Sequence, residues 1–168
     1  MRSTALSILL SLFILNPIKA EEIKCKGENY RAFDFWLGNW QVTTSADNAI
    51  RHNKISSINN GCTLLEEYST PSGYLGKSLN IYNKQTQKWH QTWTDNSGLL
   101  LKLDGGLVGE SMVMKGITKG SSGIAILNKI TWTPSKNGTV RQFWQTSVNN
   151  GKTWQVVFDG LYTKTPAN

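Results

Sequence analysis

The chain has 168 residues, with 18 Lys and Arg against 11 Asp and Glu, a formal charge of +7 and 39% hydrophobic residues. That is one domain's worth of chain, long enough to bury a substantial core. Its cations are scattered singly, as at Lys54, Lys77, Lys115 and Lys129. They form no clustered basic stripe of the kind that tracks phosphates, which argues against a nucleic-acid-binding function.

Arg2 supplies a positive start, Ala5–Leu15 is an uncharged apolar run, and Ile18-Lys19-Ala20 ends in a small residue. This is the pattern of a signal peptide over residues 1–20, cleaved after Ala20. The apolar run is about half of the roughly 20 residues that a membrane span needs. Cys25 follows Glu22-Ile23-Lys24, which is no lipidation box, so no membrane anchor is expected. Cleavage removes Arg2 and Lys19 and no acidic residue, lowering the formal charge from +7 to +5. The expected mature domain is residues 21–168, secreted or periplasmic. Its two cysteines, Cys25 and Cys62, are expected to form a disulfide there. Closing a loop of about 38 residues restricts the unfolded chain by about 4 kcal/mol.

In chain order, NYRAFDFWL (residues 29–37) stops at Gly38 and predicts one or two helical turns closed by a glycine. From Trp40 onward the chain breaks into short runs rich in Thr, Ile, Val, Trp and Tyr, each followed by a turn signal. The predicted strands are Trp40–Ser45, Arg51–Ile58, Cys62–Ser69, Lys77–Asn83, Lys88–Thr94, Leu99–Asp104, Ser111–Lys115, Ala125–Thr133, Thr139–Ser147 and Trp154–Thr163. Asn60-Gly61, Asn96-Ser97-Gly98, Asn137-Gly138 and Asn150-Gly151 place positive-φ residues where hairpins need them. No stretch is left for helical crossovers, so the strands must be antiparallel. The expected fold is all-β: an up-and-down barrel of ten strands with a short N-terminal helix, closure removing the exposed edges of a long meander. A sandwich of the same strands is the alternative architecture. The last hairpin, Ser147 to Trp154, has the form S-x-N-x-G-x-T-W of an Asp-box turn with Asn149 in the Asp position. A single copy reads as a well-made hairpin.

The order FDFWLGNW, NGC-x-x-x-E, KWHQTWTDNSG, ITWTP and SVNNGKTWQVVFDGLYTK resembles an uncharacterised family of exported bacterial proteins with an N-terminal F-D-F-W-x-G-x-W signature. The resemblance covers nearly all of residues 21–168. More distantly, Gly38-Asn39-Trp40 before the first strand resembles the G-x-W with which lipocalins and other calycin barrels begin. The resemblance implies a calycin-like barrel and no particular reaction.

Strand alternation assigns faces. Trp89, Gln91 and Trp93 share one face of their strand, the expected interior, while His90, Thr92 and Thr94 share the other. An interior Gln91 must find hydrogen-bond partners or a ligand. On the strand before it, Leu79 and Ile81 compete with Asn80 and Tyr82 for the interior; the family-like pattern puts Asn80 and Tyr82 inward. Glu66 shares a face with Leu64 and Tyr68 and reads as a partly buried carboxylate, with Arg141, which has Phe143 on its own face, as its expected partner because buried charges are normally paired; the alternative places both at the barrel surface, where most Glu and Arg lie. Glu66, Asn80, Tyr82, Gln91, Trp93 and Arg141 are thus the candidate ligand-binding residues. Seven tryptophans either fill the core or line a cavity.

Catalytic patterns are missing from the sequence. His52 and His90 are its only histidines, there is no H-E-x-x-H spacing, and no G-x-S-x-G elbow is present. No metal or other cofactor is expected. Three functions fit: binding of a small, partly apolar ligand in the barrel; a hydrolase or related enzyme acting on a saccharide-like molecule with Glu66 as acid or base; or a structural or partner-binding envelope protein with a filled barrel.

Overall fold

Ten strands pair in chain order and the last closes onto the first. They are β1 (Gly38–Thr44), β2 (Asp47–Ile58), β3 (Thr63–Ser69), β4 (Leu75–Asn83), β5 (Lys88–Asp95), β6 (Leu100–Val108), β7 (Ser111–Lys119), β8 (Ala125–Pro134), β9 (Val140–Ser147) and β10 (Gln155–Lys164). All pairs are antiparallel, and the β1–β10 ladder from Trp40↔Lys164 to Thr44↔Gly160 completes a closed barrel. These features belong to a computed structural model that describes residues 25–165. The signal peptide expected over residues 1–20 lies outside the described residues.

Turn chemistry holds the register. Asn60, Gly61, Gly98, Gly138, Asn150 and Gly151 all take positive φ, as their hairpins require. In the last hairpin, the Ser147 hydroxyl accepts hydrogen bonds from the Asn149 and Gly151 backbone N–H groups. The Asn149 side chain accepts from the Thr153 N–H and donates to the Thr153 hydroxyl. Lys129 lies over the Trp154 ring, 4.4 Å from its centroid. The Asp-box-like sequence therefore builds a self-bonded turn outside the barrel.

One end of the barrel is plugged. A four-residue helix, α1 (Glu28–Arg31), and a 3₁₀ turn at Asp34–Trp36 fold the N-terminal segment inward ahead of β1. Phe33 stacks on Trp36 with ring centroids 4.8 Å apart and meets Trp89 and Trp132 edge-on at 5.6 and 5.2 Å. Trp40 donates its indole N–H to the Trp36 carbonyl at 2.9 Å, and Trp89 donates to the Asn29 carbonyl at 3.0 Å. Offset and edge-on aromatic pairs of this kind add to the area they bury.

A disulfide between Cys25 and Cys62, Cα atoms 5.2 Å apart, ties the start of this segment to the turn before β3. The Arg31 guanidinium donates to the Gly61 carbonyl of the same turn. A disulfide suits an oxidising compartment. No helix among the described residues is long and apolar enough to cross a membrane.

Trp40, only 1% exposed, joins the plug to the first strand. Replacing it with Ala removes a fully buried indole and should lower unfolding free energy by about 3–5 kcal/mol in denaturant titration. A loss under about 1 kcal/mol would show that the indole does not hold the plug in place.

Candidate functional site

Beyond the plug the barrel is hollow. A cavity of about 520 Å³ opens at the end formed by the β1–β2, β3–β4 and β9–β10 hairpins. Tyr68, Tyr74, Trp93, Trp144 and Phe158 line it along with Leu101 and Ile130, while Glu66, Gln91, Gln142 and Tyr162 contribute polar surface deeper inside. The combination of aromatic walls and a few convergent polar groups is that of a small-molecule site.

Cross-strand register builds the polar floor. Glu66 on β3 lies opposite Ser78 on β4, and Asn80 on β4 lies opposite Gln91 on β5. Gln91 Nε2 donates to Asn80 Oδ1 at 2.8 Å, Asn80 Nδ2 donates to Ser78 Oγ at 2.8 Å, and the Ser78 hydroxyl donates to Glu66 Oε2 at 2.6 Å. From the other side, Asn53 Nδ2 donates to Glu66 Oε1 at 2.8 Å. Every bond runs toward the carboxylate, so the chain polarises in a single sense. Tyr162, itself buried, donates to Gln142 and extends the polar surface across the floor.

Glu66 is 3% exposed. Burial pushes its carboxyl up from 4.5 to about 7, against the pull of the hydrogen bonds from Ser78 and Asn53. Burial and the Glu66 charge hold the Tyr162 hydroxyl well above the ordinary tyrosine value. Burial likewise pushes Tyr68 up to about 12, opposed by the nearby Arg51.

Two glycines let the walls lie flat. A Cβ on Gly76 would sit 2.1 Å from the Trp93 ring, and one on Gly160 would sit 2.5 Å from the Phe158 ring. Each ring therefore covers the backbone of its neighbourhood where any other residue would displace it. The polar edges of the walls are already engaged. Tyr74 OH and Trp93 Nε1 both donate to Asp95 Oδ2, at 2.6 and 3.1 Å, and Trp144 Nε1 donates to Asn128 Oδ1 at 3.0 Å. Partial burial works to raise the Asp95 carboxyl, but the bonds from Ser97, Tyr74 and Trp93 outweigh it and hold it well below the usual carboxylate range.

Of the six residues predicted from sequence, Glu66, Gln91 and Trp93 meet at the cavity, and Asn80 is buried just behind them in the same network. Tyr82 also faces inward, with Leu79 and Ile81 outward, but it sits at the plugged end against Tyr30 and Trp89. Arg141 corrects the reading. Its side chain is 54% exposed on the outer face, donates to both oxygens of Asp159 at 2.7 Å and lies over the Phe143 ring. The inward residues of β9 are Val140, Gln142 and Trp144, so Glu66 has no bond to Arg141. His90 lies on the outer face, bonded to Asp104 and Thr92. Asn53, Tyr68, Gln142, Trp144, Phe158 and Tyr162 complete the site. Their signal was their place on the alternating face, two or four residues from a buried aliphatic or aromatic residue.

Compared with known proteins, the chain matches no family model and no curated sequence.

Glu66 should leave a signature in the pH dependence of stability. Its carboxyl binds a proton more tightly when folded than at the ordinary value of 4.5, so its contribution is full below about 4.5 and is lost as pH rises through about 7. The difference is on the order of 3 kcal/mol. Urea unfolding at several pH values should show stability falling over that window, and Glu66→Gln should remove the decline. An unchanged slope in the variant would assign the pH dependence to another group.

Proposed function

We propose that this is an exported binding protein that holds one small, partly apolar ligand in the open half of its barrel. The observation that carries the reading is the division of the interior. Trp36, Trp40, Trp89 and Trp132 are packed solid at the plugged end, while Trp93 and Trp144 line open space over a polar floor. A barrel built only as a scaffold has no need to bury a carboxylate beneath a cavity of about 520 Å³, because buried polar groups stabilise a fold less than apolar packing of the same volume does.

The lip supports the same reading. The β9–β10 register slips between Val156 and Phe158, and the bulge leaves Val156 and Val157 exposed beside the opening. Apolar side chains at a cavity mouth suit a ligand that is itself partly apolar. Export is supported by the signal-peptide pattern and by the Cys25–Cys62 disulfide. Acid–base catalysis by Glu66 is the less economical reading: both its oxygens already accept hydrogen bonds, from Asn53 and Ser78, and neither histidine lines the cavity to act with it.

Titration with N-phenyl-1-naphthylamine, a neutral probe whose emission rises in apolar surroundings, tests the proposal. Saturable one-to-one binding is expected. Leu101→Trp, which projects an indole from the cavity wall, should weaken it by about tenfold or more, a loss of about 1.4 kcal/mol. Non-saturating emission, or full affinity in a folded Leu101→Trp variant, would show that the probe binds elsewhere and that the barrel is not a binding site for it.

A further inference from the structure

Resting on the ligand-binding reading above, we infer that the ligand is an organic cation, an amine whose ammonium group lies against Glu66 while its apolar part lies among Tyr68, Trp93, Trp144 and Phe158. The starting point is a missing partner. A carboxylate as buried as Glu66 is normally matched by a cation, yet among the described residues Glu66 takes part in no ion pair. Its bonds come from the neutral side chains Asn53 and Ser78, one to each oxygen. A carboxylate oxygen accepts two hydrogen bonds, so acceptor capacity is left over at a group that faces the cavity.

The surrounding charges point the same way. Arg51 is the cation on the cavity wall, and it is bound to Asp47 at 2.8 Å. Asp159, at the cavity edge, is matched by Arg141 from outside. Asp95, behind Tyr74 and Trp93, is held by neutral donors alone. Two carboxylates, Glu66 inside and Asp95 behind the wall, thus stand without a protein cation in a chain whose overall charge is positive. Among the described residues that line the cavity, Arg51 is the one cation an anionic ligand would find, and it is already engaged.

Aromatic chemistry adds a third argument. Tyr74, Trp93 and Trp144 have given their polar hydrogens to Asp95 and Asn128, so these walls offer ring surface and no donors. Ring faces attract cations through the quadrupole, the more so when water is excluded. A bound anion or carbonyl group would gain nothing from them.

The test uses three probes on one skeleton: 4-phenylbutylamine, 4-phenylbutanol and 4-phenylbutyrate, each titrated calorimetrically into the full mature protein. At about pH 8 the amine should bind about tenfold or more tighter than the alcohol, with the butyrate weakest, and Glu66→Gln should bring the amine down to the alcohol. Lowering the pH adds an independent reading. Amine binding requires Glu66 charged, so affinity should fall by about tenfold for each unit below about 7, while the alcohol stays level.

Among the described residues, no other group facing Glu66 changes charge in that range. Arg51 comes from β2, Tyr68 from β3 and Tyr162 from β10; β4 contributes only Ser78 and Asn80, and both histidines sit on the outer face. Tyr68 and Tyr162 are pushed up and Arg51 is raised by its bond to Asp47.

Wild-type protein that binds the alcohol as tightly as the amine would overturn the cation assignment and leave the cavity reading standing. Failure of all three probes to bind would overturn both. Should Glu66→Gln fail to fold, as judged by circular dichroism, the pH series on wild type decides: amine affinity that stays flat from about pH 8 to pH 5.5 would remove Glu66 from recognition.

Discussion

A closed sheet of ten strands encloses more volume than one set of inward side chains fills, and the way this chain handles the surplus determines the rest of its structure. The N-terminal segment fills one end of it. Phe33 and Trp36 enter the barrel, stack on each other and gather Trp89, Trp132 and Tyr162 around them. The disulfide at Cys25 and the bond from Arg31 to Gly61 hold that segment from outside. With one end solid, the other stays open without collapse, because the aromatic plug supplies the packing that an entirely hollow barrel would lack.

The open half carries a stability penalty that the plug offsets. Asn53, Glu66, Ser78, Asn80 and Gln91 are all buried and polar, and a partly satisfied network is less stable than an apolar core. Here the donors are ordered so that each side chain hands its hydrogen to the next and the series ends on Glu66. The Asn53 carboxamide oxygen is the exception, buried with no hydrogen-bond partner. Strain of this kind collects at functional sites, where binding gains what folding forgoes.

Much of this was legible in the sequence, and the parts that were not share one cause. All ten strands and the helical start were visible because turn residues and period-two patterning are local signals. The inward placement of Gln91 and Trp93 followed from alternation, as did the outward placement of His90, whereas that of Asn80 rested on the family-like pattern because Leu79 and Ile81 competed for the same face. Arg141 misled because Phe143, two residues on, resembles a core aromatic. In the folded chain Phe143 lies outside under the Arg141 guanidinium, and the inward face belongs to Gln142 and Trp144. Tyr82 misled differently, since alternation gives the face of a strand but not the depth along the barrel axis. Depth depends on which end the N-terminal segment plugs, a long-range fact that no local pattern carries. The pairing of Glu66 with Ser78 and Asn53 is likewise a matter of register between strands, set by hairpin geometry more than by composition.

The contrast between the outside and the inside of the barrel bears on how a charged ligand could be selected. The chain is mildly basic, but its surface cations are solvated, and their field is largely screened beyond about 10 Å at moderate salt. Glu66 lies where water is scarce, and a unit charge there acts through a far lower effective dielectric than one at the surface. A cation approaching the mouth would therefore meet weak repulsion at a distance and strong attraction once inside, with Asp47, Asp95 and Asp159 lying near the opening. Selectivity in such an arrangement arises at the floor of the cavity, after the apolar part of the ligand has displaced water from the aromatic walls. A polar inorganic cation lacks that apolar part and keeps its hydration shell, so it gains little from entering. The same floor would favour a molecule that brings its own hydrophobic surface to the rings and its charge to Glu66.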